Sequence, residues 1–70
     1  MSGVQFGAFS SRAAAEAQVT NVKNRLGANA TIEMAPNGMH RVRVNGLSDT
    51  SAQKLKSSAT ANGIDSYVFH

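Results

Sequence analysis

The side chains able to do polar chemistry are few. The carboxylates are Glu16, Glu33, Asp49 and Asp65, and the histidines are His40 and His70. The two histidines stand too far apart in sequence to make a metal site by spacing. With no cysteine in the chain, thiolate zinc sites and disulfides are excluded. Serines are frequent, but none sits in a Gly-x-Ser-x-Gly elbow or beside a base. Gly3, Gly7, Gly38 and Gly46 fall at strand ends or a turn and form no phosphate-cradling loop. His40 reads as a strand-end histidine packed beside Met34, and His70 as a terminal one. No catalytic residue, no metal ligand and no cofactor is expected. What remains is recognition chemistry. Gln5 can donate and accept at once, which suits hydroxyl and amide ligands. Arg41 and Arg43 suit carboxylates.

These residues need elements to position them, and the chain supplies two similar sets. Val4-Gln5-Phe6-Gly7-Ala8-Phe9-Ser10-Ser11 resembles Val42-Arg43-Val44-Asn45-Gly46-Leu47-Ser48-Asp49 at an offset of 38. Each segment runs into an Ala-rich helical stretch closed by a glycine, Gly27 or Gly63, and then into a short strand-like run. The first strand spans Val4 to Phe9. The first helix spans Ser11 to Leu26, capped by Ser10 or Ser11, with Ala15, Val19, Val22 and Leu26 as its apolar stripe. The second strand is about Ala30 to Ala35 and the third Met39 to Asn45. The second helix runs from near Asp49 to Asn62, capped by Ser48 or Asp49, with the stripe Ala52, Leu55 and Ala59. The fourth strand is Ser66 to Phe69. Alternation alone leaves open whether Val68, or Tyr67 and Phe69, face its core.

Ala35-Pro36-Asn37-Gly38-Met39 predicts a three-residue hairpin loop, with Pro36 setting φ and Gly38 taking a positive-φ position. That loop pairs Ala35 with Met39, Met34 with His40, Glu33 with Arg41, Ile32 with Val42 and Thr31 with Arg43. A two-residue loop would set Ile32 against Arg41 and scramble the faces. The order βαββαβ with right-handed crossovers predicts an α+β, ferredoxin-like (RNP-like) fold: a four-stranded antiparallel sheet with two helices on one face. Val4, Phe6, Ile32, Met34, Val42 and Val44 would face the helices. Gln5, Gly7, Thr31, Glu33, Met39, Arg41 and Arg43 would lie on the uncovered face, with Glu33 paired to Arg41 across the strands.

The 70 residues make a single domain, 1–70, with its core at about 4–69. The net charge of +3 comes with only 16% charged residues, a small imbalance and not a dense basic patch. No apolar run approaches the roughly 20 residues needed to cross a bilayer. Met1-Ser2-Gly3-Val4 has neither the basic nor the apolar region of a secretory signal. The chain begins and ends almost on predicted strands and reads as a module cut from a longer protein.

Val4-Gln5-Phe6-Gly7-Ala8-Phe9-Ser10, an Ala-rich helix, and then His40-Arg41-Val42-Arg43-Val44 together resemble the SPOR domain, the sporulation-related repeat of bacterial cell-wall and division proteins. The resemblance implies a non-catalytic module that binds peptidoglycan glycan strands stripped of their stem peptides and directs its parent to the division septum. It implies a periplasmic or cell-wall location for an exported or membrane-anchored parent. It also implies a ligand surface on the open sheet face. Gln5 matches the family's first-strand glutamine and Arg41 its third-strand arginine. Ala8 stands where many members have serine, Met39 where some have tryptophan, and Val68 at an apolar fourth-strand position. Asn45-Gly46 replaces a common Gly-Pro. The expected glycan-binding set is Gln5, Ala8, Met39, Arg41, Arg43 and Val68, in a monomeric module. Two other readings of the same fold are an RNA-binding module of RRM type and a protein–protein interaction module using the open sheet. The first needs aromatic rings on the middle strands for base stacking, and the third strand has none, so a nucleic-acid partner is not expected.

Overall fold

The computed structural model describes residues 1–70. The elements are β1 (Ser2–Phe9), α1 (Arg12–Leu26), β2 (Thr31–Met34), β3 (His40–Leu47), α2 (Asp49–Ala61) and β4 (Tyr67–Phe69). All neighbouring strands are antiparallel in the order β2-β3-β1-β4. Both helices pack on one face, α1 against β1, β2 and β3, and α2 against β1, β3 and β4. This is the expected ferredoxin-like architecture.

Local chemistry explains the helix ends. Ser11 has extended backbone and its hydroxyl accepts from the Ala14 amide, and Ser48 does the same for Ser51. Each satisfies one amide that the first helical turn leaves without a partner. Gly27 ends α1 in the left-handed conformation at φ 69°. After α2, the Gly63 amide bonds the Thr60 carbonyl and the Ile64 amide bonds that of Ala59. This closure folds Ile64 back onto the helix, as the apolar residue after such a turn commonly does. Ile64 is thereby buried in the core, a position that periodicity had not marked.

The hairpin takes the predicted register. Thr31 pairs with Arg43, Ile32 with Val42, Glu33 with Arg41 and Met34 with His40. The Ala35 amide donates to the Met39 carbonyl at 2.8 Å, and Gly38 sits at φ 84°. β1 and β3 both reach further than expected. Their pairing slips twice, between Gln5 and Ala8 on β1 and between Val44 and Leu47 on β3. Gly7 (φ 112°) and Gly46 (φ 73°) lie at these two bulges. A bulge reverses which face the following side chains take. Past Gly7, Ala8 pairs with Arg41 on the open face, and Phe9 pairs with His40 and packs on the core. Gly7, expected as an open-face position, is instead the residue that makes the turnover. The Phe6 carbonyl at the bulge accepts from Gln18 Nε2 of α1 at 3.1 Å.

Val4, Phe6, Val22 and Val42 are the largest fully buried side chains, with Ala15, Ala52 and Ala59 between them. Each of the large ones contributes about 1.5–3 kcal/mol by leaving water. The alanines let both helices lie close to the sheet. Val19, Leu26, Ile32, Val44, Leu55 and Val68 pack around this centre. Met34 is the exception to the expected covered face. It has the right parity but stands at the end of β2, beyond the helices, and is 56% exposed.

At the opposite end of β1, the buried Ser2 hydroxyl bonds the carboxylate of Asp49 at the start of α2 and lies 2.7 Å from His70 Nδ1. The Ser2 bond holds the Asp49 carboxyl below its ordinary pKa; desolvation opposes it in part, and the charges of His70 and the amino terminus add smaller lowering effects. A lowered folded-state pKa gives stability that is present above the unfolded value and lost as pH falls through the folded one. Asp49→Asn is therefore expected to flatten the acid limb of a stability-against-pH curve below roughly pH 4, read by thermal melts. Gly7→Ala is expected to lose about 1–3 kcal/mol in urea unfolding, because φ 112° strains an L-residue and the new Cβ meets the Phe9 ring at 3.0 Å.

Candidate functional site

The open sheet face is organised around one row. Thr31, Arg43, Gln5 and Tyr67 are register partners across β2, β3, β1 and β4. Three strand spacings make this row about 14 Å long. Gln5 is only 9% exposed, since neighbours flank it on both sides. Arg43 Nε donates to Gln5 Oε1 at 2.7 Å. An arginine can only donate, so this bond also fixes which way the Gln5 amide points.

Arg43 is held from a second side. Its guanidinium carbon lies 4.1 Å from the centroid of the Phe69 ring. Phe69 belongs to β4 and Arg43 to β3, so the contact spans the intervening β1. Gly3, the register partner of Phe69, makes this possible. A Cβ at Gly3 would run into the Phe69 ring and come 2.6 Å from the Val44 carbonyl. With no side chain there, the ring lies over β1 and reaches the arginine. The position of Phe69 also resolves β4: Tyr67 and Phe69 face outward, and Val68, paired with the fully buried Val4, packs on the core.

A second cluster lies toward the hairpin. Arg41 pairs with Glu33 on one side and Ala8 on the other, and Met39 has the same parity. The expected Glu33–Arg41 ion pair is not formed. Asn45 Nδ2 donates to Glu33 Oε2 instead, and Arg41 Nη2 donates to the Met34 carbonyl at 3.3 Å. Arg41 Nε is buried with no hydrogen-bond partner. The ion pairs of the molecule lie elsewhere, Arg12 with Glu16 on α1 and His70 with Asp49. Both open-face arginines thus lack a carboxylate of the protein's own.

Of the six expected residues, Gln5, Ala8, Met39, Arg41 and Arg43 come together on the open face. Val68 does not, because its pairing with Val4 turns it toward the helices. Tyr67, 43% exposed, and Phe69 supply aromatic surface there. Their signal was present in the alternation of β4, but three residues are too few to settle which parity is buried. Neither central strand presents a ring on the open face, where base stacking by an RRM would need one. No group of three or more His, Cys, Asp or Glu residues is placed to hold a metal ion.

A family model described as SPOR domain matches residues 3–69. Among solved structures, the SPOR domain of RlpA from Pseudomonas aeruginosa is similar with TM-score 0.80 and 24% identity over 100% of this chain and 99% of that one. The peptidoglycan binding domain of the B. subtilis cell wall lytic enzyme CwlC is similar with TM-score 0.83 and 25% identity, covering 97% of this chain and 85% of that one. No curated protein sequence matches the chain.

The stack of Arg43 on Phe69 is open to direct measurement. A double-mutant cycle of Arg43→Met and Phe69→Leu is expected to give a coupling of about 0.5–1 kcal/mol in urea unfolding. Coupling near zero would show that the two side chains are merely adjacent.

Proposed function

The chain belongs to the SPOR domain family, and from that premise we propose that it is a non-catalytic peptidoglycan-binding module. It takes glycan strands that lack stem peptides and so brings a parent protein to the division septum or to sites of wall remodelling. The observation that carries this reading is Arg43, bonded to Gln5, stacked on Phe69 and without a carboxylate partner in the protein. Its Nε is engaged, which leaves its terminal nitrogens to donate to a ligand.

The charge logic favours stripped strands. Where a stem peptide is attached, the lactyl group of the sugar is an amide, neutral and bulky. Its removal leaves a carboxylate, which a pre-oriented guanidinium can bind with paired donors. Arg41, with its unpartnered Nε, supplies a second cation on the same face. Met39 can cover a sugar ring, less rigidly than a flat aromatic would. Ala8 adds no hydroxyl but leaves the backbone beside Arg41 open. The similarity to the CwlC peptidoglycan binding domain agrees with a cell-wall partner, hence with a cell-wall-associated or periplasmic location. The module acts as a monomer and needs no cofactor for this role.

Sedimentation with purified sacculi tests the reading. The wild-type chain is expected to pellet with amidase-treated sacculi and much less with untreated ones. Arg43→Ala and Gln5→Ala are each expected to weaken that binding by roughly tenfold or more, with unchanged circular dichroism. Undiminished binding by both variants would remove the face from consideration, and equal binding to treated and untreated sacculi would remove the preference for stripped strands.

A further inference from the structure

β2 forms one edge of the sheet. The hairpin decides which of its backbone groups face outward. The Ala35 amide bonds the Met39 carbonyl, and bonded pairs alternate along an antiparallel ladder. Thr31 and Glu33 therefore turn their amides and carbonyls toward β3, and Ile32 and Met34 turn theirs away. The Met34 carbonyl takes Arg41 Nη2. The Ile32 amide and carbonyl and the Met34 amide find no partner in the sheet. Edges of this kind are ordinarily guarded by a lysine, a proline or a bulge. Thr31-Ile32-Glu33-Met34 has none of these. Its register with β3 is unbroken, and both bulges belong to the pairing of β3 with β1. Beside this edge, on the helix side, a groove of about 420 Å³ opens between α1 and β2, with Val19, Ala30 and Ile32 in its lining. Met34, 56% exposed, adds apolar surface on the same side. The groove's two charges, Arg12 and Glu16, are paired with each other at 3.0 Å.

We propose that the outer edge of β2 docks an extended segment of a partner protein, added to the sheet as a fifth, antiparallel strand. Unpaired backbone groups on alternate residues are what another strand completes. The side chains specify its pattern: an apolar β-branched residue, a neutral polar one, then a second apolar β-branched one. The two apolar residues lie opposite Ile32 and Met34, take up the outward hydrogen bonds and cover the apolar groove. The residue between them lies opposite Glu33, with the Arg41 guanidinium held nearby on the Met34 carbonyl. One charge of each sign beside that position favours an uncharged side chain. A second copy of this chain fits poorly. Antiparallel pairing of β2 with itself through both Ile32 and Met34 sets Glu33 directly opposite Glu33, and like charges so placed are unfavourable. The edge is separate from the row of Arg43 and Gln5, so this inference stands independently of the glycan-binding reading.

The probe is the capped peptide acetyl-Ser-Thr-Val-Thr-Val-Thr-Ser-amide, titrated into the isotope-labelled chain and followed by NMR. It is expected to shift the amides of Val19, Ile32 and Met34 and to slow hydrogen exchange at Ile32 and Met34. N-methylation of both valines removes the amides that face β2 and is expected to weaken binding at least about tenfold. N-methylation of the threonine between them touches an amide that points away, and is expected to change binding by less than about twofold. Glutamate in place of that threonine is expected to bind about threefold more weakly. The absence of shifts along β2 at millimolar peptide would overturn the proposal, and so would equal binding of the valine-methylated peptide. Tighter binding of the glutamate peptide would overturn the uncharged pattern. Shifts of Ile32 and Met34 on concentrating the chain alone would overturn the choice of partner in favour of a second copy.

Discussion

The central groups of the exposed face take their place from the antiparallel pairing of β1 with β3. These are the two central strands. Both helices pack against them, and β2 and β4 merely extend the sheet on either side. The pairing sets Gln5 beside Arg43 and Ala8 beside Arg41. The pairing of β1 with β4 then brings the bare backbone at Gly3 under the Phe69 ring, so that a side chain from one sheet edge can meet one from the third strand along. The buried side of the β1–β3 pairing joins Val4 to Val44 and places Phe6 by Val42 under the helices. One ladder of hydrogen bonds therefore fixes both the core and the candidate site.

The internal similarity gives that pairing a further meaning. At the offset that aligns the two halves, Gln5 falls on Arg43, and these two residues are also register partners. The pair thus lies on the approximate two-fold axis that relates the half-domains. Val4 opposite Val44 becomes Phe6 opposite Val42 when the halves are exchanged. Each central strand also carries a bulge with a positive-φ glycine shortly before its serine-capped helix. The backbone keeps the symmetry while the chemistry on the axis has lost it. One copy offers a neutral amide and the other a cation, which allows them to bond to each other.

Much of this was legible in the sequence, for identifiable reasons. The hairpin register followed from one turn, because Pro36 and Gly38 admit few loop geometries and any slip would expose Ile32 and Val42. The helices followed from their caps and stripes. The bulge at Gly7 was not legible, because strict alternation is the only rule a strand pattern offers, and an inserted residue breaks it without changing composition. That is why Phe9 turned out to be a core residue, while the open-face place of Ala8 came only from the family resemblance. The Glu33–Arg41 pair failed for a different reason. Opposite register allows an ion pair but does not compel one, and Asn45 and the Met34 carbonyl compete for the same groups at an exposed site where such a pair is worth little. Ile64 was hidden because its burial depends on a helix-closing turn and not on periodicity.

The two strands that make the site are brought together from opposite halves of the chain, whereas β2 and β3 meet across a short turn. A partly unfolded chain that keeps only the hairpin retains Arg41 and Arg43 but has lost Gln5, Gly3 and Phe69. Recognition and global folding are therefore thermodynamically linked. A ligand that engages the complete face has little affinity for anything but the closed sheet, so its binding free energy adds to the stability of the whole domain, by about 2.7 kcal/mol at a hundredfold excess over Kd. For a small domain without disulfides, whose core alone supplies only about 3–5 kcal/mol, a ligand of the complete face would supply a substantial part of what keeps the chain folded.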